Sequence, residues 1–188
     1  MSSVASPFGL KPAFHPSGII RQQLSTIVSG FPENIFQFAP VRIDDATGAL
    51  RPAASATAEN ILGVFAGVEF TGTDGRRRVG NFWEANTVGT EIVAYYVGDP
   101  LMIYEIQGDG PILQANVGDM ADYTAQAGNT TTGLSSVALD VSTLVNAQAQ
   151  LRVVGINPAA DNVVGDDFTI AQVQIAEHAF QLNAVVKT

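Results

Sequence analysis

Ala171-Gln172-Val173-Gln174-Ile175-Ala176-Glu177 alternates small or apolar side chains with polar ones. That is the period of a β-strand with one wet face, since successive side chains of an extended chain point to opposite sides. Working outward, runs rich in Val, Ile, Phe and Tyr recur along the chain. They are Ile19–Val28, Asn34–Ile43, Ile61–Phe70, Val79–Trp83, Glu91–Val97, Leu101–Gln107, Ser136–Leu139, Gln150–Ile156 and Phe168–Phe180. Turn-forming clusters separate them, among them Asp44–Gly48, Thr73-Asp74-Gly75, Gly98-Asp99-Pro100, Gly108-Asp109-Gly110 and Asn157-Pro158, where Asp, Asn, Gly and Pro supply the bends.

Helical periodicity is nearly absent. Val141–Ala149 is long enough for two turns behind Asp140 as N-cap, and nothing else sustains a 3.6-residue period. Short strands at this spacing predict an all-β fold, a sandwich or barrel. Tyr95-Tyr96-Val97 and Leu101–Tyr104 are apolar on both faces, which predicts a central or interfacial hairpin. Residues 109–135 read as a long excursion with Gly128–Gly133 as an exposed loop. Gly63 and Gly67, inside a Val- and Phe-rich run, read as packing or a bulge.

Residues 1–18 are different. Pro7, Pro12 and Pro16 with Gly9 and Gly18 exclude helix and favour an extended chain. Phe8, Leu10, Phe14, Ile19 and Ile20 lie within or just after this stretch, whereas a floppy tail is normally polar. An extended N-terminal arm (1–18) that docks, on its own body or on another subunit, followed by one β domain (19–188), is the expected organisation. Pro-rich termini rarely hold themselves down, so the arm is expected to be mobile until it binds.

Of the 188 residues, 46% are hydrophobic and 14% charged, against about 25% charged in a typical soluble protein. Few charges remain to cover the surface, which points to a face shared with a partner. The net charge of −9 argues against nucleic-acid binding, which needs a phosphate-neutralising patch. The charge is uneven: residues 1–32 carry Lys11 and Arg21 and no acid, while no Lys or Arg lies between Arg78 and Arg152. A weakly basic leader on an acidic body suits charge-complementary docking on a neighbouring copy. The absence of cysteine removes disulfides and thiolate metal sites. The start lacks the pattern of a secretory signal, and no apolar run approaches the roughly 20 residues of a membrane helix. Synthesis in a cytoplasm and no membrane partner are the expectations.

No catalytic pattern is present. His15 and His178 are isolated, and zinc needs three or four ligands. Asp44-Asp45 and Asp166-Asp167 lack the alternating acids and closing Glu of a calcium loop and read as turn chemistry. There is no nucleophile elbow, P-loop or dinucleotide fingerprint, so no catalytic, metal or cofactor residue is assigned and no cofactor is expected. Arg76-Arg77-Arg78 follows an Asp-Gly turn and reads as a hairpin tip, or as a salt-bridging contact to an acidic neighbour. Trp83, beside Phe82, reads as core rather than sugar platform.

The order of segments carries a resemblance. Pro7-Phe8-Gly9-Leu10-Lys11-Pro12 leads to His15 and Gly18-Ile19-Ile20-Arg21. Ile35-Phe36-Gln37, Pro40-Val41, Ile61–Val68, Phe82-Trp83 and Ala94-Tyr95 follow. The later part supplies Asp99-Pro100, Tyr104–Gly110, Gly128-Asn129-Thr130, Gly133-Leu134-Ser135 and Ala176-Glu177-His178. In this order the chain resembles the head decoration, or cement, proteins of tailed bacteriophages. Each fragment alone is ordinary strand-and-turn sequence; the similarity lies in their succession through most of the chain.

The resemblance implies a compact jelly-roll-like β-barrel or sandwich and a non-enzymatic virion protein on the outer capsid surface that staples neighbouring major capsid proteins, as a homo-oligomer with a trimer favoured over a dimer. The residues agree, since stapling favours a reaching arm, a rigid β body and sparsely charged contact faces. The expected contacts are Phe8, Leu10, Phe14, Ile19 and Arg21 in the arm, and secondarily Arg76, Arg77 and Arg78. The competing readings are a carbohydrate-binding β-sandwich adhesion module using Trp83, Tyr95 and Tyr123, a small β-barrel hydrolase, and another virion component such as a head fibre base.

Overall fold

The computed structural model describes residues 2–55, 59–144 and 148–180. Thirteen strands follow one another through the described residues: β1 (Lys11–Phe14), β2 (Gln23–Ser25), β3 (Pro40–Ile43), β4 (Leu50–Pro52), β5 (Gly63–Gly72), β6 (Arg77–Gly80), β7 (Gly89–Val97), β8 (Ile103–Gln107), β9 (Met120–Ala121), β10 (Gly128–Asn129), β11 (Leu134–Ser135), β12 (Leu151–Ile156) and β13 (Ile170–Ile175). They form an antiparallel sheet of order β1-β8-β13-β12-β9, a second of order β2-β7-β5-β3-β4 with β6 beside the outer half of β5, and the ribbon β10-β11. The fold is all-β.

Pattern and packing correspond. In β13, Ala171, Val173 and Ile175 point inward and meet Tyr104, Ile106, Leu151 and Val153 in one core. The centre of the second sheet is buried on both faces. Ile61, Val64 and Val97 join that first core, while Leu62, Phe65, Val68, Ala94 and Tyr96 build another with Ile27, Ile35, Leu50 and Trp83. Phe65 and Val68 share a face although three residues apart, because the β5–β7 register slips between Phe65 and Gly67. Of the two glycines read as packing or a bulge, Gly67 lies at this slip, while Gly63 packs against the main chain of Val97 and Gly98.

Tyr96 and Val97 are central, as their apolar character on both faces implies, but they do not belong to a hairpin with Leu101–Tyr104. β7 lies in one sheet and β8 in the other, so Gly98-Asp99-Pro100 is a crossover between layers. A Cβ at Gly98 would overlap the carbonyl oxygen of Leu62 and sit 2.7 Å from the Tyr96 ring. The chain passes between layers at a point where only glycine fits.

The N-terminal stretch is built into the body. Ser6 N–H donates to Gln107 Oε1 (2.7 Å), Gly9 N–H to Val137 O (3.1 Å) and Leu10 N–H to Phe38 O (2.9 Å). Leu10 is fully buried in the first core, and β1 adds to the edge of the first sheet by pairing Lys11 with Glu105. Pro12 is tolerated because an edge strand need not donate on its outer side. Of the two docking alternatives, residues 2–14 take their own body, His15 is half-buried against the crossover, and only 16–22 run as an uncovered strap to β2.

Elsewhere, Asp140 does cap, accepting from Ser142 N–H at 3.0 Å, but over the single 3-10 turn Val141–Thr143. Residues 145–147 of the expected two-turn helix lie outside the described residues. The excursion 109–135 carries β9, β10 and β11, and its Gly128–Gly133 loop is the ribbon's tip. Of the run Ser136–Leu139, Leu139 makes only isolated bridges.

His178 ties the end of the described chain to the crossover. Its buried ring accepts from Phe180 N–H at Nδ1 (3.0 Å), so Nε2 carries the proton that it donates to Gly98 O (3.1 Å). Burial holds its pKa below the ordinary value near 6.5. Because the folded value lies below the unfolded one, the unfolded chain binds more protons in this range. The stabilisation is present above pH 6.5 and lost as pH falls through and below it. Thermal midpoints from pH 8 to 5 should fall more steeply for the native chain than for His178→Gln. Parallel profiles would remove the titration from His178.

Candidate interaction surface

The strap from β1 to β2 is held at its start. His15 Nδ1 lies 2.6 Å from Ser17 Oγ, and Gly18 N–H donates to His15 O at 2.8 Å, closing a turn. On its other side the ring meets the crossover, with Nε2 3.1 Å from Asp99 Oδ1. The Leu101 N–H first, and His15 after it, hold the Asp99 carboxyl below the usual carboxylate range. Between strap and crossover lies a cleft of about 400 Å³, lined by His15, Ile19, Arg21, Val97, Asp99 and Met102.

The five expected arm contacts divide. Leu10 is core, so it offers nothing to a partner and is removed from the contact set. Phe8 is half-buried. Phe14 is 52% exposed at the end of β1 and Ile19 55% exposed on the strap, and Arg21 is exposed with no ion pair among the described residues. The structure adds Ile20 and Leu24, the latter 66% exposed on β2. β1 and β2 are edge strands of the two sheets among the described residues. One short stretch, 11–25, thus lines an edge of each sheet and presents apolar side chains along both. Missing apolar neighbours is what exposed edges of this kind have in common with interfaces.

The secondary set sits where a hairpin tip was expected, on the β5–β6 turn. Arg77 pairs with Glu69 (3.0 Å) and Arg78 with Asp74 (3.2 Å), while Arg76 reaches Asp74 only at 4.0 Å. Tyr95 O–H and Arg77 together hold the Glu69 carboxyl below its ordinary range, and the Arg76 N–H and Arg78 do the same for Asp74. The cluster is neutralised largely within its own hairpin.

The aromatic residues a sugar platform would need are elsewhere. Trp83 is buried with its ring edge-on to Phe70 (5.3 Å between centroids), Tyr123 is buried and donates to Ala54 O, and Tyr95 is engaged by Glu69. Asp44 shapes its turn by accepting from Ala46 N–H, Thr47 N–H and Thr47 O–H, and Asp166 accepts from Ser2 O–H. Among the described residues no three His, Asp or Glu side chains gather where they could hold a metal ion.

A second surface went unread in the sequence. The loop between β12 and β13 exposes Pro158, Ala159, Ala160, Val163 and Val164, yet it is braced from within. Buried Asn162 donates to Asn157 O (2.8 Å) and Ile170 O (2.9 Å) and accepts from Ile170 N–H. Ser2 fastens it further, its Oγ accepting from Val163 N–H (3.0 Å) and its carbonyl from Phe168 N–H (2.8 Å). The sequence signal is slight: an apolar pair in a stretch otherwise full of turn residues.

No family model, curated protein or solved structure matches the chain.

Proposed function

We propose that this chain is a non-enzymatic decoration protein that binds the outside of a phage head and staples neighbouring major capsid subunits, as a homo-oligomer on the virion surface. The observation that carries the reading is the apolar stretch along two sheet edges. Phe14 and Leu24 stand outward on β1 and β2, joined by an uncovered strap, in a chain whose surface is poor in charge. Edge strands accept a partner strand or pack under a partner's apolar side chains at little cost in sequence. The resemblance in segment order supplies the class of partner. A carbohydrate-binding role draws less support, because Trp83 and Tyr123 are core residues.

The test is co-sedimentation with expanded, undecorated heads. Removing the whole arm is a poor probe, because it takes Leu10 out of the core. Phe14→Asp and Leu24→Asp alter exposed side chains and leave the core intact. The native chain is expected to pellet stoichiometrically, and each substitution to weaken binding about tenfold or more, as for a central interface contact. A native chain that stays in solution with several kinds of head would sink the reading. Unchanged binding of both variants would move the grip away from these edges.

A further inference from the structure

We infer that the braced loop 157–169 of one copy seats in the cleft between strap and crossover of a second copy, giving a head-to-tail self-association. Three observations meet here. The cleft, about 400 Å³, has an apolar floor in Val97 and Met102, with Ile19 on its rim. The loop exposes Val163 and Val164, at 56% and 45%, and the hydrogen bonds of Asn162 and Ser2 fix its shape before any encounter. A preformed knob loses little conformational freedom on binding, so more of its apolar contact appears as affinity.

The charges are complementary as well. Arg21 lines the cleft without an ion pair among the described residues, while Asp99 opposite is engaged by His15 and the Leu101 N–H. The knob carries exposed Asp167 beside Val163 and Val164 and has no Lys or Arg between Arg152 and Phe180. Arg21 at the cleft thus faces an apolar loop that carries an exposed Asp167. Among occupants of the cleft, a second copy is the one whose matching surface is on the page.

Cleft and knob lie at opposite ends of β8. Met102 and Asp99 adjoin its start, and Gly108 N–H donates to Thr169 O beyond its end. At about 3.3 Å per residue this separates them by roughly 15 Å. Successive copies therefore repeat the same unlike contact, and such a contact closes into a ring or runs on as an open chain.

Sedimentation velocity over a concentration series tests this on the full chain without heads, so its failure leaves the shell-binding reading standing. The native chain is expected to form species larger than a dimer. Arg21→Glu spoils the cleft, and Val163→Asp with Val164→Asp spoils the knob; each variant is expected to lose tenfold or more in association. All these side chains are exposed, and an unchanged unfolding midpoint verifies the fold. Mixing the two variants restores one good contact per pair and should yield a dimer that grows no further. A native chain that is monomeric throughout, one that stops at a dimer, or assembly unaffected by either variant would each overturn the inference.

Discussion

Gly63→Ala is expected to lower stability by more than about 3 kcal/mol, the size of effect that follows a clash in a site unable to relax. The added methyl would overlap the carbonyl oxygen of Val97 and lie 2.6 Å from the Cα of Gly98. Both obstacles are main chain, and that main chain is where the protein passes from one sheet to the other. Moving it apart would open the β5–β7 pairing of Val64 with Val97 and disturb both cores. Gly18→Ala is the comparison: no atom lies within 4 Å of the added carbon there. Its cost should be limited to the left-handed backbone, about 1 kcal/mol. Denaturant midpoints at unchanged slope give both numbers. A Gly63→Ala chain within about 1 kcal/mol of the native one would mean the close approach is not a constraint.

Leu10→Ala is expected to cost about 2–5 kcal/mol, the range for a buried leucine whose surroundings collapse incompletely. Phe14→Ala, four residues on, should cost about 0.5 kcal/mol or less, since that side chain is largely in solvent. The contrast separates two pictures of the N-terminal segment. An arm that docks only on a partner would leave both substitutions neutral in the isolated chain. A segment built into its own body makes one severe and the other silent, and equilibrium unfolding of the two variants reads the difference directly.

Sequence reading reached furthest where side-chain period alone decides. β13 announces itself because Ala171, Val173 and Ile175 alternate with glutamines, and one-sided burial is what the structure has there. The two strand glycines were legible as packing or a bulge, and each does one of the two: Gly63 packs and Gly67 sits at the slip. β1 was not read as a strand: Lys11–Phe14 contains Pro12, and three nearby prolines outweigh any strand signal unless one knows that an open edge is waiting at β8. The β7–β8 hairpin failed for a related reason. Gly98-Asp99-Pro100 has the chemistry of a tight turn, and local chemistry cannot distinguish a turn within a sheet from a step between sheets. The interaction surface was half legible. Exposed Phe14, Ile19 and Arg21 lie in the stretch whose apolar content looked out of place, but Leu10 in that stretch belongs to the core. The loop 157–169 was barely legible, because its apolar pair sits among turn residues and part of what stiffens it is Ser2, at the far end of the chain.

The pairing of β1 with β8 and of β2 with β7 has a consequence for how the chain is made. A ribosome delivers the N-terminus first, yet Lys11 finds its partner only after Glu105 has been synthesised, and Leu24 waits for Tyr95. At about 5–20 residues per second this is a delay of about 5 to 20 s. During that interval Phe8, Leu10, Phe14, Ile19 and Leu24 are a bare apolar leader on a growing chain. The sheet that receives β1 is finished later still, because β13 separates β8 from β12. The other sheet has all its strands once Val97 is made, so it can pair while the first sheet still waits for β13.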